Sequence, residues 1–319
     1  MVETVARYTH PPVEHGQYCS SLAGIIRTRL NRVVTLTDLR TVVAQACTAV
    51  RQAARLSAVA MLALALAGPP VWAQEVVEVD LELVLAVDIS LSMDDEEQRL
   101  QRDGYVAALR HPEVIAAIRD GLNGQIALAY LEWAGTASQE VLVAWSLIDG
   151  KDAADAFAEA LAAIPLRRAH RTSISGALQS AGELFEASGF RGLRQVVDVS
   201  GDGANNQGAP VTLARDRLVE QGIVINALAI MIDRRGLDDY FHLANLDEYY
   251  EDCVIGGPGA FVLRITDRDQ FAPAIRRKMI LEISHARPRI SPAAAPALRA
   301  PVDCLIGEKG WQRLRGLGE

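Results

Sequence analysis

Leu81–Ser92 reads LELVLAVDISLS, an apolar run that stops on Asp88 and then sets hydroxyls at Ser90 and Ser92. Its centre, Leu83–Val87, is short, almost wholly apolar and bounded by polar residues, the pattern of a strand covered on both faces in a parallel sheet. A carboxylate and two hydroxyls at the carboxyl end of such a strand lie where open α/β sheets collect their ligands. They are hard oxygen donors, suited to a small divalent cation such as Mg²⁺.

Working outward, the chain alternates strands with helices. Asp94-Asp95-Glu96-Glu97 places acids in the first turn of a helix, where the macrodipole favours them, and Leu100, Val106, Ala107 and Leu109 supply its apolar stripe. After the break at Pro112 come a short helix to Arg119 and strands over Gln125–Trp133 and Glu140–Leu147, close enough to pair as a hairpin. Helices are predicted over Asp152–Ile164, Thr172–Ala187, Pro210–Gln221, Gly236–Asn245 and Asp269–Ser284. Further strands are predicted over Arg194–Val199, Gly222–Ile230 and Ala260–Ile265. The alternation predicts an α/β fold, a doubly wound and mostly parallel central sheet with helices on both faces. In that fold the ends of the central strands lie side by side. The loop of Asp88, Ser90 and Ser92, the helix start at Thr172 and the loop of Asp202 then meet at one edge as an oxygen-only site.

Each of these residues has an ordinary alternative. Asp88 is a possible helix cap, the hydroxyls possible caps or turns, and Asp202 before Gly203 a possible turn residue. The combination is more specific: D-x-S-x-S, then about 80 residues to Thr172, then about 30 to a strand-terminal Asp-Gly. Trp133, Asn205 and Asn206 are candidate partner-contacting residues, with packing under the loop and simple chain reversal as their alternatives. Gly256-Gly257-Pro258-Gly259 lacks the Lys and the Ser or Thr of a phosphate loop. His111, His170, His242 and His285 fit no zinc spacing.

Ahead of this body, Arg51 and Arg55 precede an apolar run, Leu56–Ala67, broken by Gly68-Pro69-Pro70 and followed by Val71-Trp72-Ala73. That is the layout of an export signal over residues 51–73, cleaved after Ala73, its apolar run too short for the roughly 20 residues of a membrane span. No Cys follows the cleavage point, so no lipid anchor is expected. Residues 1–50 are expected to be disordered or to precede the true start. Residues 1–73 carry seven of the 32 basic and three of the 40 acidic residues, leaving 25 against 37, a formal −12 over the rest. Such an acidic body is expected to be a monomer that binds no nucleic acid and keeps no stable membrane anchor after cleavage. Its two cysteines, Cys253 and Cys304, are expected to pair in an oxidising compartment, periplasmic or extracellular. The domain is expected over residues 74–286, followed by a Pro/Ala-rich linker and C-terminal tail over 287–319.

The motifs resemble those of the von Willebrand factor type A domain, whose metal-ion-dependent adhesion site combines D-x-S-x-S, a distant Thr and a distant Asp. Asp88, Ser90 and Ser92 match the first, Thr172 the second and Asp202 the third, over roughly Val77–His285. Val87–Met93, Glu132-Trp133 and Ser200–Asn206 (SGDGANN) are most similar to an uncharacterised exported bacterial branch. The von Willebrand factor type A family usually has Thr or Ser directly before the last Asp; here Gly201 stands there. The resemblance implies Mg²⁺ or Mn²⁺ held by the serine hydroxyls and Thr172, with Asp88 and Asp202 bound directly or through water. One position would stay open for an Asp or Glu carboxylate from a partner protein. The function so implied is metal-dependent, adhesion-type protein binding and not catalysis. The alternatives are a Mg²⁺-dependent hydrolase or phosphatase and a structural domain with a vestigial site. An aspartate-nucleophile phosphatase needs a second acid where Ser90 stands, and no G-x-S-x-G elbow is present.

Overall fold

The fold is built on a six-stranded sheet whose strands lie in the order Gln139–Ile148, Ile126–Trp133, Leu81–Asp88, Gln195–Gly201, Val224–Ile230 and Val262–Ile265. The computed structural model describes residues 43–52, 76–232, 243–284 and 299–316. The export signal, the helix predicted over 236–245 and the linker before residue 299 fall wholly or largely outside the described residues. The chain divides into two units, Met1–Gln74 and Glu75–Glu319. In the first, residues 43–52 are helical; the second carries all that follows. Among the described residues no helix is long and apolar enough to cross a membrane.

The large sheet consists of β2 (Leu81–Asp88), β3 (Ile126–Trp133), β4 (Gln139–Ile148), β6 (Gln195–Gly201), β7 (Val224–Ile230) and β8 (Val262–Ile265). Only β3 and β4 pair antiparallel; every other neighbour is parallel. β1 (Val77–Val79) and β5 (Phe190–Gly192) make a separate parallel pair that the sequence reading missed, since three residues are too few to show a period. The helices are α1 (Asp95–Leu109), α2 (Pro112–Arg119), α3 (Lys151–Ala163), α4 (Ile174–Glu186), α5 (Val211–Glu220), α6 (Leu246–Tyr249), α7 (Phe271–Ser284) and α8 (Ile306–Gly316). A π-helical turn, Tyr250–Val254, continues α6. Within the tail expected after residue 287, Ile306–Gly316 is helical.

β2 is buried along its whole length, which explains why its sequence is a run and not an alternation. Leu83, Leu85 and Val87 face one core layer with Tyr105 and Leu109 of α1, Phe157 and Leu161 of α3, and Phe271 and Ile275 of α7. Val84 and Ala86 face the other, with Ile174 and Leu178 of α4 and Val211 and Leu218 of α5. Each large side chain so buried contributes about 1.5–3 kcal/mol. Asp94 caps α1 by accepting from the Glu97 amide at 2.8 Å, and the Glu97 carboxylate accepts from the Asp94 amide at 3.0 Å.

The first layer also contains charge. Lys278 of α7 lies 2.6 Å from Asp198 of β6 and is hydrogen-bonded to Glu282, and all three are buried. Burial first, and then the Asp198 charge, push the Glu282 carboxyl up to about 7, against the pull of Lys278. From β2 the chain goes to β3 and β4 on one side and then to β6, β7 and β8 on the other. The switch point, where such sheets open a crevice, therefore lies at the carboxyl ends of β2 and β6.

Candidate metal centre

The register places the two acids. Val87 of β2 pairs with Ser200 of β6, so Asp88 stands beside Gly201 and next to Asp202. Ser90 donates its amide to Asp88 Oδ1 at 2.6 Å, the Ser90 and Ser92 hydroxyls lie 2.8 Å apart, and Ser92 donates to Asp202 Oδ1 at 2.6 Å. Asp88, Ser90 and Asp202 are buried and Ser92 is exposed, so the group opens to solvent at Ser92. Burial pushes the Asp88 carboxyl well above the usual carboxylate range, and the Asp202 charge adds to it, against the bonds from Ser90. Asp88 Oδ2 is buried with no hydrogen-bond partner.

Thr172 reaches the same place because its loop is zipped to the first one. The Leu91 amide donates to the Ala169 carbonyl and the Ala169 amide to the Ile89 carbonyl, each at 2.9 Å. Arg168 donates to the Leu91 carbonyl at 2.6 Å. The Thr172 amide donates to Asn206 Oδ1 at 3.0 Å, and its carbonyl accepts from the Asn206 amide at 2.8 Å. A side-chain carbon on Gly203 would lie 3.8 Å from Thr172 Oγ1 and 3.9 Å from its methyl, so the Thr172 side chain lies against the Asp202 loop. Arg171, just before Thr172, has φ 77°, the one non-glycine in left-handed backbone among the described residues.

Sequence reasoning missed the arginines that hold this loop from behind. Arg102 of α1 is buried, pairs with Glu132 and donates to the Ile164 carbonyl at 2.7 Å. Arg167 reaches Glu132 at 3.2 Å and also bonds Glu140. Burial pushes the Glu132 carboxyl up, outweighing the pull of the two arginines. The Glu-Trp dipeptide was the visible signal, and its Glu proves to be an anchor.

Two of the candidate partner contacts are corrected. Trp133 is fully buried in the layer beneath α4 and presents nothing to a partner. Asn205 is fully buried too: its Oδ1 accepts from the Ser175 amide at 3.0 Å, and its Nδ2 donates to the Ala209 carbonyl and to Glu308. Asn206 is half-buried and spends its side chain on Thr172. All three support the site from within.

Gly201, the departure from the expected Thr or Ser, has a steric reason. A side-chain carbon there would sit 2.8 Å from the Tyr250 hydroxyl and 2.9 Å from Asp88 Oδ2. Tyr250 fills the space, its hydroxyl donating to the Gly203 carbonyl at 3.4 Å. Gly201→Ala is expected to lower stability by about 1–3 kcal/mol through overpacking, and adding Tyr250→Phe to recover part of it. Urea denaturation of the single and double variants checks this; additive losses would mean that Tyr250 is not the obstacle.

The donor set fits a hard cation. A buried carboxylate oxygen without a hydrogen atom to accept, beside a second carboxylate and neutral hydroxyls, is short of positive charge. Among the described residues no cluster of three or more His, Cys, Asp or Glu forms, as expected of a site with two acids and three hydroxyls. Zinc-type chemistry with nitrogen or sulfur donors has no counterpart in it.

Residues 78–287 match the model of a family described as "Protein of unknown function (DUF1194)". The chain belongs to that family. No curated protein matches this DUF1194 chain. Among solved structures it is similar to proximal thread matrix protein 1 from the mussel byssus, in a form described as having a zinc-occupied MIDAS motif. The identity is 16%, the TM-score 0.45, and the match covers 66% of this chain and 49% of that one. It is also similar to the pilus adhesin SpaC from Lactobacillus rhamnosus GG (14% identity, TM-score 0.48, 66% of this chain and 31% of that one). A third is a von Willebrand factor type A protein from Catenulispora acidiphila (16%, 0.41, 65% and 43%). The DUF1194 chain thus spans about half the length of the byssus protein that it matches.

Proposed function

We propose that this DUF1194 protein is an exported, metal-dependent binding protein that captures an Asp or Glu carboxylate of a partner protein. The observation that carries the reading is the pair Asp88 and Asp202 at the end of the central strands, joined through Ser90 and Ser92, with Asp88 Oδ2 buried and unpartnered. Ser90, Ser92 and Thr172 would hold Mg²⁺ or Mn²⁺ through their hydroxyls, and Asp88 and Asp202 directly or through water. When bound, the ion supplies a positive point charge for an incoming carboxylate. With only two acids among its donors the site leaves that charge incompletely neutralised, which favours an anionic partner. The serine hydroxyls bond each other and Asp202, which gathers their oxygens into one group of candidate ligands. The disulfide between Cys253 and Cys304 suits an oxidising compartment, periplasmic or extracellular.

Calorimetry with Mg²⁺ and Mn²⁺ tests the metal. Wild type should bind one ion, and the double variant Ser90→Ala with Ser92→Ala should lose it while keeping its fold; unchanged affinity in the variant would refute the site. Pull-downs from periplasmic extract with and without a chelator then test whether capture of a partner needs the ion.

A further inference from the structure

We propose that Glu308, on the C-terminal helix α8, is a positioning residue of the metal centre that acts through Asn205. The inference rests on the metal reading above and adds an element to it: α8 lies beyond the residues 78–287 that match the family.

Helix α8 is held against the third-motif loop from several sides. Cys304, two residues before it, is bonded to Cys253 of the π-helical turn. On either side of that turn's start, Tyr249 accepts from the Asn205 amide at 3.1 Å and Tyr250 donates to the Gly203 carbonyl. The α8 backbone itself rests on the loop, since any side-chain carbon at Gly307 would overlap the Asn205 carbonyl oxygen. Further along, the Arg171 guanidinium lies 3.3 Å over the Trp311 ring. Helix α8 therefore touches the loops on both sides of Thr172.

The Asn205 amide is where this contact becomes positional. Its oxygen accepts from the Ser175 amide in the first turn of α4, and its nitrogen donates to Glu308 Oε1 at 2.7 Å. An amide has one accepting and one donating end. Turned over, Asn205 would set its NH₂ against the Ser175 N–H and its oxygen against the Glu308 carboxylate, two repulsions inside a buried site. The Ala209 carbonyl, which accepts from the same nitrogen at 3.1 Å, favours the working orientation too, and Glu308 secures it with the shorter, charge-assisted bond. Asn205 so held fixes the start of α4, and its chain neighbour Asn206 holds Thr172 by two bonds. The other Glu308 oxygen is buried without a partner. A carboxylate kept there with one oxygen unsatisfied contributes orientation more than stability.

The test compares full-length wild type, Glu308→Ala and Glu308→Gln, the glutamine retaining an acceptor for Asn205. In metal-free protein, amide hydrogen exchange at Ser175 should be about tenfold faster in Glu308→Ala and near wild type in Glu308→Gln. Affinity for Mn²⁺ by calorimetry should fall about tenfold in Glu308→Ala and return in Glu308→Gln. Equal exchange at Ser175 in wild type and Glu308→Ala overturns the proposal. So does exchange that rises evenly over the whole domain with a lowered thermal midpoint, the mark of a merely structural role. If wild type takes up no Mn²⁺ yet exchange at Ser175 still responds to Glu308→Ala, the metal reading falls and the positioning of this loop by Glu308 stands.

Discussion

Asp88→Asn is expected to abolish binding of Mg²⁺ and Mn²⁺ while making the metal-free protein more stable. The two signs have one cause. Asp88 is fully buried beside Asp202, with one oxygen unpartnered, and its carboxyl is held well above the usual range by burial and by that neighbouring charge. Without an ion the charged form is an unfavourable thing to bury. Asparagine keeps the shape and an oxygen for the Ser90 amide, and removes the buried charge beside Asp202. The gain in metal-free stability should be about 1–3 kcal/mol, the usual cost of an unsatisfied buried polar group. Loss of one anionic donor should lower ion affinity by about 100-fold or more. Denaturation curves with and without Mn²⁺ read both effects. A metal-free variant less stable than wild type would show that Asp88 is there for the fold, and would remove the argument for a cation.

Lys278→Ala should produce the largest loss of stability, about 3–5 kcal/mol, because it leaves Asp198 and Glu282 buried without their cation. One lysine cannot neutralise two carboxylates, and the folded protein answers by holding a proton on Glu282, whose carboxyl is raised from near 4.5 to about 7. The folded state then binds more protons than the unfolded one between those values. Stability is gained as pH falls from about 7 towards 4.5 and lost as pH rises through that window. Urea midpoints at pH 5 and pH 8 should therefore differ in wild type, and the difference should shrink in Glu282→Gln. A Lys278→Ala variant within 1 kcal/mol of wild type, on the roughly ±0.5 kcal/mol scale of surface changes, would mean that water reaches the cluster.

The disulfide illustrates how sequence and structure divide the argument. With an even pair of cysteines after a predicted export signal, pairing is the expectation, and closing a loop of 51 residues stabilises by about 4 kcal/mol in the chain-entropy model. Nothing in the spacing of Cys253 and Cys304 says that the bond delivers a helix to the rim of the metal site. The stretch after residue 287 has the composition of a linker, and an eleven-residue helix at its end is too short to announce itself by period alone. Trp133 proves to be packing, the alternative given for it, and Asn205 is buried where a contact or a chain reversal is expected. Residues beside a motif look like surface residues until the backbone shows which way they point.

By itself the sequence determined the sheet, because strands buried on both faces must be apolar runs and the helices between them must be amphipathic. It determined the metal-ligand candidates as well, since carboxylate and hydroxyl groups at D-x-S-x-S, Thr172 and Asp202 are legible as chemistry before they are placed. Only the tertiary structure decided what stands around them: Tyr250 in the space that Gly201 leaves, Arg102 and Arg167 behind the Thr172 loop, and Glu308 on Asn205. Those contacts join residues 30 to 103 positions apart in the chain. They follow from how loops at the ends of parallel strands are packed together, and no local periodicity records that.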